Sequence, residues 1–259
     1  MGPFGALNPW KIWRLVVLVL AIGAAGYLAT RLLGPRFGLP ISGLASGFVS
    51  SSATIGAMGA KAAAVQGILG AAVAGAVLST VATVLQMAAV LGATSQPVLM
   101  AMAMPLVFAG VVAALYGAVF TLLALKSPPQ DGDHAGNPLS VKTALVFAAT
   151  LAVVMLLSAA AREWFGEAGV IVAAGLAGFV DTHAPAISIA SLVAAGRMTP
   201  DEAIWPILAA FTTNSATKVI LAATAGGRDF ALRVIPGVLL VAVAAWAGAL
   251  AAMRLGWPG

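Results

Sequence analysis

The sequence predicts an all-α, polytopic membrane helix bundle of two structural repeats, with about six to eight spans and a broken or re-entrant second helix in each repeat. Three observations lead there. The chain of 259 residues is 61% hydrophobic and only 8% charged, with mean hydropathy +1.05. Soluble domains carry about 25% charged residues, so too few charges are present to coat a water-facing surface. Apolar runs then recur along the whole chain at bilayer length. Finally, an offset near 131 residues lays one polar interruption over another.

The apolar runs cover 12–33, 38–60, 64–93, 97–125, 141–161, 168–195, 203–225 and 231–255. A spanning helix needs about 20 residues. Ser95-Gln96-Pro97 divides one long run in two, because the residue before a proline leaves the α region. Trp10, Trp13, Trp164 and Trp257 flank run ends, where indoles favour the interface. Between Lys126 and Gly136 the chain is Pro-, Asp- and Gly-rich, which reads as a hydrophilic linker over 127–136. The expected domains are therefore a first membrane repeat, 1–126, and a second, 137–259.

The repeat rests on three separated matches. Asn8-Pro9 and Asn137-Pro138 are 129 residues apart, Phe48-Val49 and Phe179-Val180 are 131 apart, and Thr80–Gln86 lies over Thr212–Lys218 at 132. Residues 14–33 resemble a signal peptide, but their counterpart at 141–161 is internal, which favours an uncleaved first helix. Four spans per half would make the repeats parallel. A re-entrant second element would make them inverted. The distribution of Lys and Arg does not choose, since either arrangement divides twelve of the thirteen cations seven to five.

The chemistry concentrates at the two interruptions. In Gly175–Gly196, an otherwise apolar stretch, stand Asp181, His183 and Pro185. A carboxylate at that depth costs several kcal/mol, roughly, unless paired or protonated, so it marks an ion or proton site or caps a half-helix. Histidine changes charge closest to neutral pH, and Asp181 with His183 supplies two ligands of a weak metal signal. Lys218 is the other charge within an apolar run, with Asp181 as its expected partner. Asn214 and Lys218 share a helix face, with Thr217 beside them. Ser50, Ser51, Ser52 and Thr54 are the hydroxyl counterparts in the first half, suited to coordinate a solute or ion or to pack closely beside Gly43-x-x-x-Gly47. The matching position to Lys218 is the neutral Gln86.

Several classes are excluded. The single, scattered cations form no nucleic-acid surface, and zero cysteines removes disulfide and thiolate chemistry. No phosphate loop, nucleophile elbow, zincin or dinucleotide motif is present, so an enzyme is not expected. Met100, Met102 and Met104 spread around a helix instead of forming a thioether face. Cofactors are expected to be none beyond a coupling proton or bound cation. The expected partners are the lipid bilayer, a small solute or ion and a second copy of the chain.

Leu7-Asn-Pro-Trp-Lys-Ile-Trp-Arg, Leu33-Gly-Pro-Arg, Gly43…Gly47-Phe-Val-Ser-Ser-Ser-Ala-Thr54, Asp181-Thr-His-Ala, Asn214-Ser-Ala-Thr-Lys218 and Gly226-Gly-Arg…Arg233-Val-Ile-Pro follow in that order. Together these blocks resemble the uncharacterised C-terminal membrane domain of bacterial MgtC/SapB-like proteins, over nearly the whole chain. The MgtC-like half is a departure, being absent here, so a stand-alone copy or a fragment is expected; the resemblance implies a multi-pass place in the bacterial inner membrane. It implies little chemistry, and a second acid is common in that family where His183 stands. The expected function is a secondary transporter or ion-coupled carrier with a mid-membrane site. The alternative is a non-transporting regulator that acts through helix packing.

Overall fold

Chains rich in Ala, Leu and Val with no surrounding water satisfy their backbone groups internally, and helices do so within one segment. The computed structural model describes residues 38–65, 67–124 and 141–257, with further helical positions between Trp10 and Leu28. All regular structure among them is helical. The linker at 127–136 and most of the first run lie outside the described residues. In chain order the helices are α1 (Gly38–Ala64), α2 (Leu69–Thr94), α3 (Gln96–Ala101), α4 (Ala103–Ala124), α5 (Val141–Gly178), α6 (His183–Ala194), α7 (Pro200–Ala225) and α8 (Gly227–Leu255). Four of these, α2, α4, α7 and α8, are long and apolar enough to cross a membrane, and the chain is a membrane protein on that ground.

Local chemistry sets the ends. Ser95 is extended and begins α3 with Pro97 in its first turn, as the sequence predicts. Thr199 and Glu202 close a reciprocal capping box at the start of α7, with Asp201 and Glu202 on the positive end of its dipole. Trp10, Trp13, Trp164 and Trp257 are exposed at run ends. Met102 is buried while Met100 is exposed, so the methionines do spread around the axis.

Two of the helices are folded back, and this decides the architecture. In α1, Ser50 leaves helical geometry at φ −164° and ψ 106°. Before that break, Gly43 lies against Gly75 and Gly47 against Ser79, so 38–49 runs parallel to α2. After it, Ser51 sits beside Thr83, and Met58 is back beside Gly75, so 51–64 runs antiparallel to the same helix. The turn thus lies about half-way along α2. In α5, Gly166 has φ +63°, a left-handed value that a side chain would strain. From there 167–178 runs alongside α7, with Gly178 on Ala210 and Thr213. The chain breaks at 179–182 and returns through α6 to α7. Arg197 contacts Glu163 across that return at 3.3 Å, which brings the two ends of the excursion to one level.

Each folded-back pair has its own apolar core. Leu39, Ile55, Met58, Ile68, Val73, Phe230 and Val234 pack around the first. Ala184, Ile187, Ile189, Ile204, Ile207 and Met198 pack around the second, with Leu91 from the opposite end of α2 and Val98 from α3. Between these cores the two turns are linked through the spanning helices, by Thr83 of α2 and Lys218 of α7.

Candidate functional site

Both breaks are built the same way. Ser50 Oγ accepts the backbone N–H of Ala53 at 3.3 Å, while Asp181 Oδ2 accepts that of Ala184 at 2.7 Å. Each is a side-chain cap three residues ahead of an orphan donor, and the pairs are 131 residues apart. The approach to each break needs glycine. A Cβ on Gly47 would meet Ser79 Cα at 2.6 Å, and one on Gly178 would meet Ala210 Cα at 2.6 Å. Those glycines are also 131 apart. Freed carbonyls find hydroxyls on the neighbouring spanning helix: Ser79 Oγ donates to Ser51 O at 3.4 Å, and Thr217 Oγ1 donates to Phe179 O at 2.9 Å.

The charged groups occupy this junction. Asp181 Oδ1 accepts from His183 Nδ1 at 3.0 Å. Because a carboxylate accepts, Nδ1 carries the proton of this bond. Nε2 is buried and has no partner among the described residues, and neither has Thr182 Oγ1, on a residue 1% exposed. Lys218 is also 1% exposed. Its ammonium donates to Thr83 Oγ1 at 3.0 Å, and Thr83 in turn donates to Ser51 Oγ at 2.8 Å. A lysine of α7 is thereby tied through α2 to the break in α1. Asn214, one turn before Lys218 and 5% exposed, makes no hydrogen bond among the described residues.

The expected direct pair between Lys218 and Asp181 does not form. Asp181 is spent on His183 and Ala184, so the two charges meet only through space and the contacting partner of Lys218 is Thr83. Asn214 and Lys218 are both buried on α7, as the i, i+4 spacing predicts. Thr217 faces elsewhere, towards the Phe179 carbonyl. Ser51 joins the network, and Ser50 is an exposed cap. Ser52 is half-buried. The Thr54 hydroxyl lies 2.9 Å from both Ser46 Oγ and Ser50 O, and so holds the break itself. Asp181 and His183 engage one another, and no third His, Cys, Asp or Glu joins them as a metal ligand among the described residues.

Sequence reasoning missed Thr83 and Thr182. Thr83 was legible in one respect only, since it follows Ser79 by one turn on α2 and both lie on the face that receives Gly47. A groove of about 920 Å³ lies elsewhere, in the angle of α5, lined by Val153, Leu157, Trp164, Phe165, Leu176 and Val180. Its walls are apolar and suit hydrocarbon chains, not the chemistry of the junction.

Residues 17–226 match the family described as a domain of unknown function, DUF4010. The chain belongs to the DUF4010 family. The match spans α1 through α7 and both breaks, so the site described above is a DUF4010 site. The family description assigns no chemistry and makes no link to MgtC/SapB-type proteins. No curated protein and no solved structure matches the chain.

Proposed function

We propose that this DUF4010 protein is a secondary transporter or ion-coupled carrier of a small solute or ion, working through a mid-membrane site where two inverted repeats meet. The observation that carries the reading is the buried Lys218 ammonium, held by Thr83, itself bonded to Ser51, with buried Asn214 one turn away on α7 and the unsatisfied Thr182 hydroxyl and His183 Nε2 at the second break. Burying an ion costs roughly several kcal/mol even after relaxation. A scaffold needs neither that cost nor idle polar atoms around it. A site that something occupies in turn needs both.

The repeat reading draws on the paired caps, Ser50 to Ala53 and Asp181 to Ala184, and on the paired glycines, Gly47 and Gly178. Taken as re-entrant hairpins, α1 and the 167–194 segment leave three crossings in each half. An odd number inverts the second half, so the hairpins come in from opposite faces and their tips meet near the middle. Broken helices at the midplane of inverted repeats are a recurrent transporter design. The bacterial inner membrane is the proposed location, on the sequence resemblance to the domain that accompanies MgtC/SapB-like segments.

In this mechanism the Asp181–His183 pair takes up the coupling proton or cation, Lys218 balances charge, and Asn214 and Thr182 orient the solute. The Gly43 and Gly47 faces pack on α2 within the chain, which supports the carrier reading over a regulator that would use them to bind a partner. The test is flux in proteoliposomes. Asp181→Asn keeps an oxygen for the Ala184 N–H but removes the charge, so flux falls to background while the protein still folds. Unaltered flux in that variant would remove the central residue of the proposal.

A further inference from the structure

The idle groups at the junction are mostly donors, and that bears on what they receive. Lys218 has three N–H bonds and one acceptor among the described residues, Thr83 Oγ1. Two ammonium donors are therefore unspent in a side chain 1% exposed. Thr182 offers a buried hydroxyl with no partner among the described residues, and Asn214, 5% exposed and one turn before Lys218, offers two more N–H bonds. The Asp181 carboxylate, which could have answered them directly, accepts from His183 and the Ala184 N–H instead. Buried donors without acceptors are costly, and the cost is greatest for a charged one.

We infer that the solute is a small monovalent anion, received by the free Lys218 ammonium donors with Asn214 and Thr182. This rests on the carrier reading and narrows it. A cationic solute would have to displace or sit beside a buried ammonium, at a junction whose one carboxylate, Asp181, is already engaged by His183 and the Ala184 N–H. The charges facing the junction are few. α2 and α6 carry no ionisable residue except His183, and α7 carries Lys218 there, with Asp201 and Glu202 at its far end. Among the described side chains, α5 adds only Glu163 and Glu167, at the level of Arg197. With Asp181 and Lys218 cancelling, an anion accompanied by one proton on the Asp181–His183 pair leaves the loaded site with the same net charge as the empty one. Both forms can then reorient in a low-dielectric surround.

Purified protein is reconstituted in liposomes and given separate gradients of nitrate, acetate and chloride, with sodium and potassium as cation arms. At least one of the three anions is expected to move faster than in protein-free liposomes. Its flux is lost in Lys218→Met. In Thr182→Val the apparent affinity falls roughly tenfold or more, as loss of one hydrogen bond to a charged ligand implies. The Thr182 hydroxyl has no partner to lose, so this second variant reports on the anion even where Lys218→Met folds poorly. Anion flux that persists in folded Lys218→Met, or an unchanged affinity in Thr182→Val, overturns the inference. Movement of sodium or potassium with none of the anions overturns it too, while leaving the carrier reading in place. Absence of any flux removes both.

Discussion

Replacing Thr83 by valine tests the junction most directly, because the two side chains have nearly the same shape and differ by one hydroxyl. Thr83 is fully buried, and its oxygen is the acceptor for Lys218 at 3.0 Å and the partner of Ser51 Oγ at 2.8 Å. Valine keeps the packing and strands both groups. A hydrogen bond to a charged group contributes roughly 1.5–3 kcal/mol, and the neutral one about 1 kcal/mol more. Thr83→Val should therefore destabilise the protein by roughly 2.5–4 kcal/mol, overlapping the lower part of the roughly 3–5 kcal/mol range for breaking a buried charged contact. In a Lys218→Met background the charge is already gone, and the same change should cost only about 1 kcal/mol. The coupling is thus about 1.5–3 kcal/mol. Denaturant unfolding in mixed micelles of the wild type, the two single variants and the double variant measures it. Additivity within about 0.5 kcal/mol would show that Thr83 and Lys218 do not depend on one another, and the network would be abandoned.

Other perturbations address the frame around that contact. Gly47→Ala and Gly178→Ala each push a methyl onto neighbouring backbone, and should each cost roughly 1–3 kcal/mol in the same unfolding assay, whereas Gly196→Ala meets no neighbour and fails only through its positive φ. Thr199→Ala removes one arm of the capping box at the start of α7, and a loss of about 1 kcal/mol is expected. The natural absence of cysteine permits single labelling sites. Lys61→Cys, at the outer end of the first hairpin, and Gly196→Cys, at that of the second, should react from opposite faces of the membrane with an impermeant maleimide. Reaction from the same face would make the halves parallel and end the inverted-repeat proposal.

Much of this protein follows from one-dimensional information. Residue composition alone places it in a membrane, because so little charge cannot hold so much apolar surface in water. Bilayer-length runs give the helices, Pro97 marks the start of α3, and the offset of 131 marks Ser50 and Asp181 as equivalent before any coordinate is known. Asn214 and Lys218 share a face by helical period alone. Direction and partner are different matters. Whether an interrupted helix continues or turns back depends on the backbone angles of one residue, Ser50, and on glycines thin enough to let two chains touch. Likewise, Lys218 chooses Thr83 over Asp181 because α2 and α7, 135 residues apart at that contact, are brought together by the packing of both hairpins. Long-range proximity of this kind has no periodic signature in the chain, so only the tertiary structure could supply it.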